Sequence, residues 1–257
     1  MQSSLNLRAG ASLSERRGVV GILGGMGPLA TIDFMHKMLL ATPALSDQEH
    51  VPVVVSSIPQ VPDRTAAWRG EGASPLRAML ASGGRLAEAG AGLVVMPCNT
   101  AHLWFDEVQR ALGLPMLHLV DAALAEAVAL AGPGARIGLL ATDATLDAGL
   151  YPQRAARLTD GSAELQWLLP DAAQRASTVM PGIAAIKAGD LQRGCALLQA
   201  AALDLARRGA QALVLGCTEI PLVLQSDTAP LPVIDATAAL ARRAVAWSLM
   251  QRAAAGG

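Results

Sequence analysis

Cysteine is scarce in this chain, with three among 257 residues, and that scarcity excludes a disulfide framework as the source of stability. Charge of one sign is also missing. Twenty Lys and Arg stand against 21 Asp and Glu, for a net charge of -1, and no dense basic run offers a field for phosphate backbones or anionic lipid. Nucleic acid is therefore excluded as a natural partner. No stretch reaches the roughly 18 uninterrupted apolar residues of a spanning helix, because residues such as Glu126 and Asp204 break the richest segments. No membrane partner is expected. The opening MQSSLNLRAGASLSERR lacks the apolar core of a secretion signal, so residues 1–17 read as a flexible extension on a soluble, cytoplasmic protein.

What is abundant is apolar material, 52% of the chain, enough for one large core or two compact ones. Short apolar runs alternate with longer segments of helical spacing, the mark of βα units and parallel strands. The expected strands are 18–24, 51–57, 92–97, 115–120, 136–141, 164–169, 212–216 and 232–235, several of them continuous apolar runs suited to burial on both faces. Helices are expected over 31–42, 74–90, 190–209 and 236–252.

The chain also repeats itself coarsely. AGAGLVVMPCNTAH followed by LGLPMLHLVDAALAEAV is similar to RGAQALVLGCTEIP followed by APLPVIDATAALARRAV. Each copy ends an apolar strand with a cysteine, Cys98 or Cys217, and reaches a proline 17 or 15 residues later, Pro115 or Pro232. Two similar α/β halves, each with a thiol at the same station, would face each other across a cleft, a common place for a ligand.

Strand-end thiols ahead of polar turns sit where open α/β sheets bind ligands, and a helix N-terminus favours the thiolate. One thiolate can remove a proton from a carbon centre while the opposite thiol delivers one to the other face, which inverts the centre without a metal or cofactor. Asn99, Thr100 and Thr218 are candidate donors to the carboxylate on which charge accumulates. The third cysteine, Cys195, lies inside the helical QRGCALLQ and reads as a buried small hydrophobe. GILGGMG lacks the G-x-G-x-x-G spacing of a dinucleotide loop, so its glycines are read as permitting close approach of backbone to a ligand.

At these residues the chain resembles the aspartate/glutamate racemase family of cofactor-independent amino-acid racemases. The likeness runs from about Gly21 to Val245 through GILGGMGPLAT, PQVPDRT, MPCNTAH, LLATDATLDAGLY, IAAIKAGD and LGCTEIPLVL. It implies an α/β fold of two pseudo-symmetric domains, each a short, mainly parallel sheet flanked by helices, with the active site in the cleft between them. Residues 18–120 with about 236–257 would form the first domain and 121–235 the second. It implies Cys98 and Cys217 as the acid/base pair, and Arg64 and Lys187 at the side-chain carboxylate of an acidic amino acid, where a guanidinium fork and an ammonium point charge suit that group. By composition alone that pair would pass for ordinary surface charges.

The same resemblance places Met26 and Gln60 on the pocket wall, gives Thr142 and Thr145 as hydroxyls from the second half, and puts Glu219 beside the ammonium or its neighbouring thiol. Core packing for the methionine and capping for the threonines are the plain readings of those residues. His102 either tunes Cys98 or bonds locally. No cofactor and no metal are implied, and a homodimer is. Related superfamily chemistries, a maleate-type isomerase or an arylmalonate-type decarboxylase, use strand-end cysteines too, and a non-catalytic amino-acid-binding protein on the same cleft is a further alternative.

Overall fold

A computed structural model describes residues 17–158 and 164–254; of the expected N-terminal extension, 1–16 lie outside the described residues. Among the described residues seven strands form two parallel sheets. The first, ordered β2-β1-β3, joins β1 (Val20–Gly24), β2 (Val53–Ser57) and β3 (Leu93–Val95). The second, ordered β5-β4-β6-β7, joins β4 (Arg136–Ala141), β5 (Gln166–Leu168), β6 (Ala212–Gly216) and β7 (Val233–Asp235). Around them run α1 (Pro28–Ala41), α2 (Arg64–Trp68), α3 (Leu76–Glu88), α4 (Phe105–Leu112), α5 (Leu119–Ala131), α6 (Asp143–Asp147) and α7 (Leu150–Leu158). Then come α8 (Ala172–Gln174), which passes through a π-turn into α9 (Met180–Lys187), and α10 (Leu191–Arg207) and α11 (Ala236–Ala253).

The repeat read from the sequence recurs in the backbone. β1 is the central strand of its sheet and β4 one of the two inner strands of the other, pairing Ile22 with Val95 and Leu139 with Val214. Gly21 and Gly138 occupy matching positions on them: a Cβ on the first would meet Ala91 Cβ at 2.8 Å and Leu86 Cβ at 3.3 Å, and on the second Leu213 Cδ2 at 2.7 Å and Leu205 Cβ at 3.3 Å. Helices α3 and α10 stop alike, the Ala91 N–H on the Leu86 carbonyl and the Ala210 N–H on the Leu205 carbonyl, both at 3.0 Å, with Gly90 and Gly209 left-handed between them.

The last strand of each half shows where the repeat breaks. Val94 N–H reaches the Pro115 carbonyl and Leu213 N–H the Pro232 carbonyl, both at 2.9 Å. In the second half β7 continues from there. In the first, the strand expected over 115–120 shrinks to one bridge, Val94 to Met116, because the His118 ring nitrogen accepts the Val120 N–H at 3.2 Å and caps α5. Leu119 and Val120 are therefore buried from a helix. Likewise α1 begins at Pro28, earlier than the expected residue 31, since proline at the first helical position forfeits no intrahelical bond.

One core crosses both sheets. Val20, Ile22 and Leu93 join Ile137, Leu139 and Val214, and Leu240 of α11 packs among them. Each such side chain is worth about 1.5 to 3 kcal/mol on burial. The closing helix α11 lies against α1 and α5, which returns the end of the described chain to the first half, while the division expected at 120/121 falls inside the first turn of α5.

Candidate active site

Strands β1, β3, β4 and β6 all point their C-terminal ends at one place. After β1 the chain turns through Gly25, whose φ is 86° and where a Cβ would lie 2.3 Å from the Ile58 nitrogen, so only glycine fits. Thr31 Oγ1 accepts the Gly25 N–H at 2.8 Å and donates to the Gly27 carbonyl at 2.9 Å. That holds the loop so closely on the second half that a Cβ at Gly27 would meet Glu219 Oε1 at 3.2 Å.

Both thiols line one small cavity there, together with Met26, Arg64, Asn99, Thr100, Thr142, Lys187, Thr218 and Glu219. Asp63 and Thr65 also line it and were not foreseen. Asp63 caps α2 by accepting the Ala66 N–H at 2.8 Å, which fixes the helix that starts at Arg64. Two expected residues lie elsewhere. Gln60 is exposed on a turn outside the cavity. Thr145 is fully buried behind it, its hydroxyl 3.2 Å from Thr100 Oγ1 and 3.1 Å from Thr142 Oγ1. With Thr100 and Thr142 themselves 2.8 Å apart, three hydroxyls tie the two halves together beneath the site. Cys195 is half-buried on α10, outside the cavity, its thiol on the Val223 carbonyl at 3.4 Å.

The two thiols have different surroundings. Cys217 donates to Glu219 Oε2 at 3.0 Å. Burial first and the Glu219 charge second push its pKa well above the ordinary thiol value, with Lys187 pulling the other way. This corrects the sequence expectation of a favoured thiolate: at Cys217 the neighbouring carboxylate and the lost hydration outweigh any turn dipole. Around Cys98 the tie is to the backbone. His102 Nε2 accepts the Leu119 N–H at 3.0 Å, so Nδ1 carries the proton and donates to the Cys98 carbonyl at 2.8 Å. Burial lowers the His102 pKa to about 4, and the neutral ring thus bonds locally, setting the turn that carries the thiol.

Tyr151, which sequence reasoning missed, is wholly buried and donates to Asn99 Oδ1 at 2.6 Å. The Asn99 Nδ2 amide is left buried with no partner, a free donor at the cavity wall. Positive charge stands ready on the same wall. Arg64 donates to the carbonyls of Pro62 at 3.0 Å, Val61 at 3.1 Å and Met26 at 3.3 Å, and among the described residues neither it nor Lys187 is ion-paired. Burial disfavours the Lys187 charge, but Cys217, Glu219 and Cys98 outweigh it and raise its pKa. Among the described residues no group of His, Cys, Asp or Glu is arranged to hold a metal ion, and no helix is long and apolar enough to cross a membrane.

The Asp/Glu/Hydantoin racemase family profile matches residues 23–244. The chain belongs to that family. Its curated relatives include the broad specificity amino-acid racemase RacX of Bacillus subtilis (strain 168), 28% identical over 239 residues, which are 90% of this chain and 98% of that one. Among solved structures, the Picrophilus torridus aspartate racemase superposes with a TM-score of 0.77 at 30% identity, covering 90% of this chain and 94% of that one. The glutamate racemase of Francisella tularensis in complex with D-glutamate shares the fold, with a TM-score of 0.64 at 15% identity, covering 94% and 83%. Membership and neighbours together make this chain an amino-acid racemase.

Proposed function

We propose that this racemase inverts an acidic amino acid, aspartate or glutamate, without a cofactor, using Cys98 and Cys217 as bases on opposite faces of Cα. The observation that carries the reading is that both thiols line one cavity with Arg64 and Lys187, two cations without an ion pair among the described residues. In one direction the Cys98 thiolate takes the Cα proton and the Cys217 thiol, aligned by Glu219, delivers its own to the other face. The reverse needs Cys217 ionised, and there Lys187 is the group that lowers its pKa. The Asn99 amide, with the Thr100 and Thr218 hydroxyls, receives the α-carboxylate as charge builds on it. Arg64 and Lys187 take the side-chain carboxylate. Proton transfer by positioned groups supplies about 10²- to 10⁴-fold, so fixed donors must supply much of the remaining acceleration.

The chemistry needs both thiols unoxidised, which suits a reducing, cytoplasmic setting, and all three cysteines are free. We further infer a homodimer through the outer face of α1 and the edge strand β2. Leu29, Ile32, Leu39 and Leu40 of the helix, Leu45 beyond it, and Val53 and Val55 of the strand are all exposed there, an apolar surface of the kind that marks an interface. The Bacillus subtilis relative is named for broad specificity, and one methylene changes preference by only about 1 to 3 kcal/mol, so aspartate and glutamate are both within reach.

Incubating L- or D-aspartate and L- or D-glutamate with the enzyme in deuterated water, then separating enantiomers by chiral chromatography, tests the reading. The product enantiomer is expected to carry deuterium at Cα, and Cys98→Ala or Cys217→Ala to abolish its formation in a folded protein. Inverted product without label, or full activity in either variant, would overturn it.

A further inference from the structure

Behind the Cys98 turn lies a second cavity, ≈ 190 Å³, that shares no lining residue with the thiol cavity. Its walls include the turn of His102 with Phe105 and Asp106 at the start of α4, His118 at the cap of α5, and the α7 face bearing Leu150, Arg154 and Arg157. Two of these walls are the parts that position the active site. His102 holds the Cys98 carbonyl, and α7 carries Tyr151, which holds Asn99.

The charges in this cavity are unevenly committed. Arg154 is forked onto Asp121, at 2.5 and 2.7 Å, and Asp106 lies close enough to stabilise it further. Arg157 makes no ion pair among the described residues, although it lies near enough to His118 to disfavour a charge there. His118 is 7% exposed. Its Nδ1 is spent on the Val120 N–H, so the proton sits on Nε2, a donor without a hydrogen-bond partner among the described residues. Burial, with His102, Arg154 and Arg157 close by, keeps the ring neutral. Among the described residues one unpaired guanidinium and one unpartnered imidazole N–H thus share the cavity with the apolar side chains of Phe105 and Leu150.

We propose that this cavity is a second binding site, for a small aliphatic carboxylate held by Arg157 and the His118 Nε2–H with its hydrocarbon against Phe105 and Leu150. A carboxylate accepts from two donors at once, and charge-assisted bonds of this kind are the strong ones. The short branched chain of isovalerate matches the apolar side, and its uncharged amide matches everything but the charge.

Calorimetric titration of the full-length protein with sodium isovalerate, isovaleramide and inorganic phosphate tests the assignment without turnover. Isovalerate is expected to bind saturably with a millimolar Kd, and the amide and phosphate at least about tenfold more weakly. Arg157→Ala and His118→Asn are each expected to weaken isovalerate by about tenfold, the asparagine keeping an acceptor for the Val120 N–H so that α5 stays capped. Arg64→Ala, altered only in the thiol cavity, is expected to bind isovalerate as the parent does. No saturable binding, or binding lost in Arg64→Ala and intact in the other two, would overturn the proposal. Phosphate binding as tight as isovalerate would make the cavity a general anion site and overturn the carboxylate assignment.

Discussion

The Tyr151 hydroxyl donates to the Asn99 side-chain oxygen at 2.6 Å, and that bond dictates which end of the asparagine amide faces the thiols. With the oxygen occupied, Nδ2 is the end left without a partner at the cavity wall. Tyr151→Phe frees the amide to turn while leaving the aromatic packing on Trp167 in place. A fall in kcat of about tenfold is expected, equivalent to roughly 1.4 kcal/mol. Asn99→Ala should cost at least as much, and the double variant no more than Asn99→Ala alone, since the tyrosine acts through the asparagine. Additive losses in steady-state kinetics would break this link.

Glu219→Gln removes a negative charge that raises the Cys217 pKa and keeps the side chain's size. Burial, the larger cause, is untouched, so the thiol pKa falls but stays above its ordinary value. Under the proposed two-cysteine mechanism, kcat/KM in the direction where Cys217 delivers the proton declines as that thiol ionises, and the alkaline limb is expected to move to lower pH in the variant. Profiles measured from both enantiomers check this, because in the proposed mechanism only one direction depends on the protonated Cys217. An unmoved limb in both would separate Glu219 from the thiol.

Removing the Arg64 guanidinium takes away a cation anchored by three carbonyls and, among the described residues, by no carboxylate. A hydrogen bond to a charged group is worth about 1.5 to 3 kcal/mol. Arg64→Ala should lower kcat/KM for aspartate and glutamate by about 10- to 100-fold more than for alanine. Equal losses across the three substrates would dissociate Arg64 from selectivity.

Acid should unfold the protein partly through His102. Its pKa is lowered by burial from 6.5 to about 4, so the folded state resists a proton that the unfolded chain accepts. That contribution to stability is complete above pH 6.5 and is lost as pH falls toward 4, a swing on the order of 3 kcal/mol. Tm measured across this window should drop less steeply in His102→Gln, whose amide can keep both backbone contacts without taking a proton. Parallel slopes would place the acid sensitivity elsewhere.

Much of this architecture was legible because it is periodic. Continuous apolar runs such as VGILG and ALVLG mark fully buried parallel strands, and the duplicated cysteine context foreshadowed the matching stops of α3 and α10. The strand expected at 115–120 failed because apolar content does not reveal a capping histidine, and only His118 decides that Leu119 enters a helix. Ten of the twelve foreseen site residues line the thiol cavity. Gln60 and Thr145 do not, since a motif fixes proximity along the chain and not the direction of each side chain. Tyr151 closes the LLATDATLDAGLY motif, but its bond to Asn99 spans 52 residues, a pairing the motif does not display. The raised Cys217 pKa was misread because dipoles follow from the strand-end position, whereas burial and the turn of Glu219 toward the thiol follow from packing.

The thiol cavity measures ≈ 20 Å³, room for about one water, and the Arg69–Asp143 pair at 2.7 Å clasps α2 to α6 at its side. The walls must part to admit an amino acid, and this partly exposed ion pair, which dissolved salt weakens, is one of the ties that hold α2 to α6. Turnover measured at rising salt is expected to increase, and Arg69→Ala to lose that dependence.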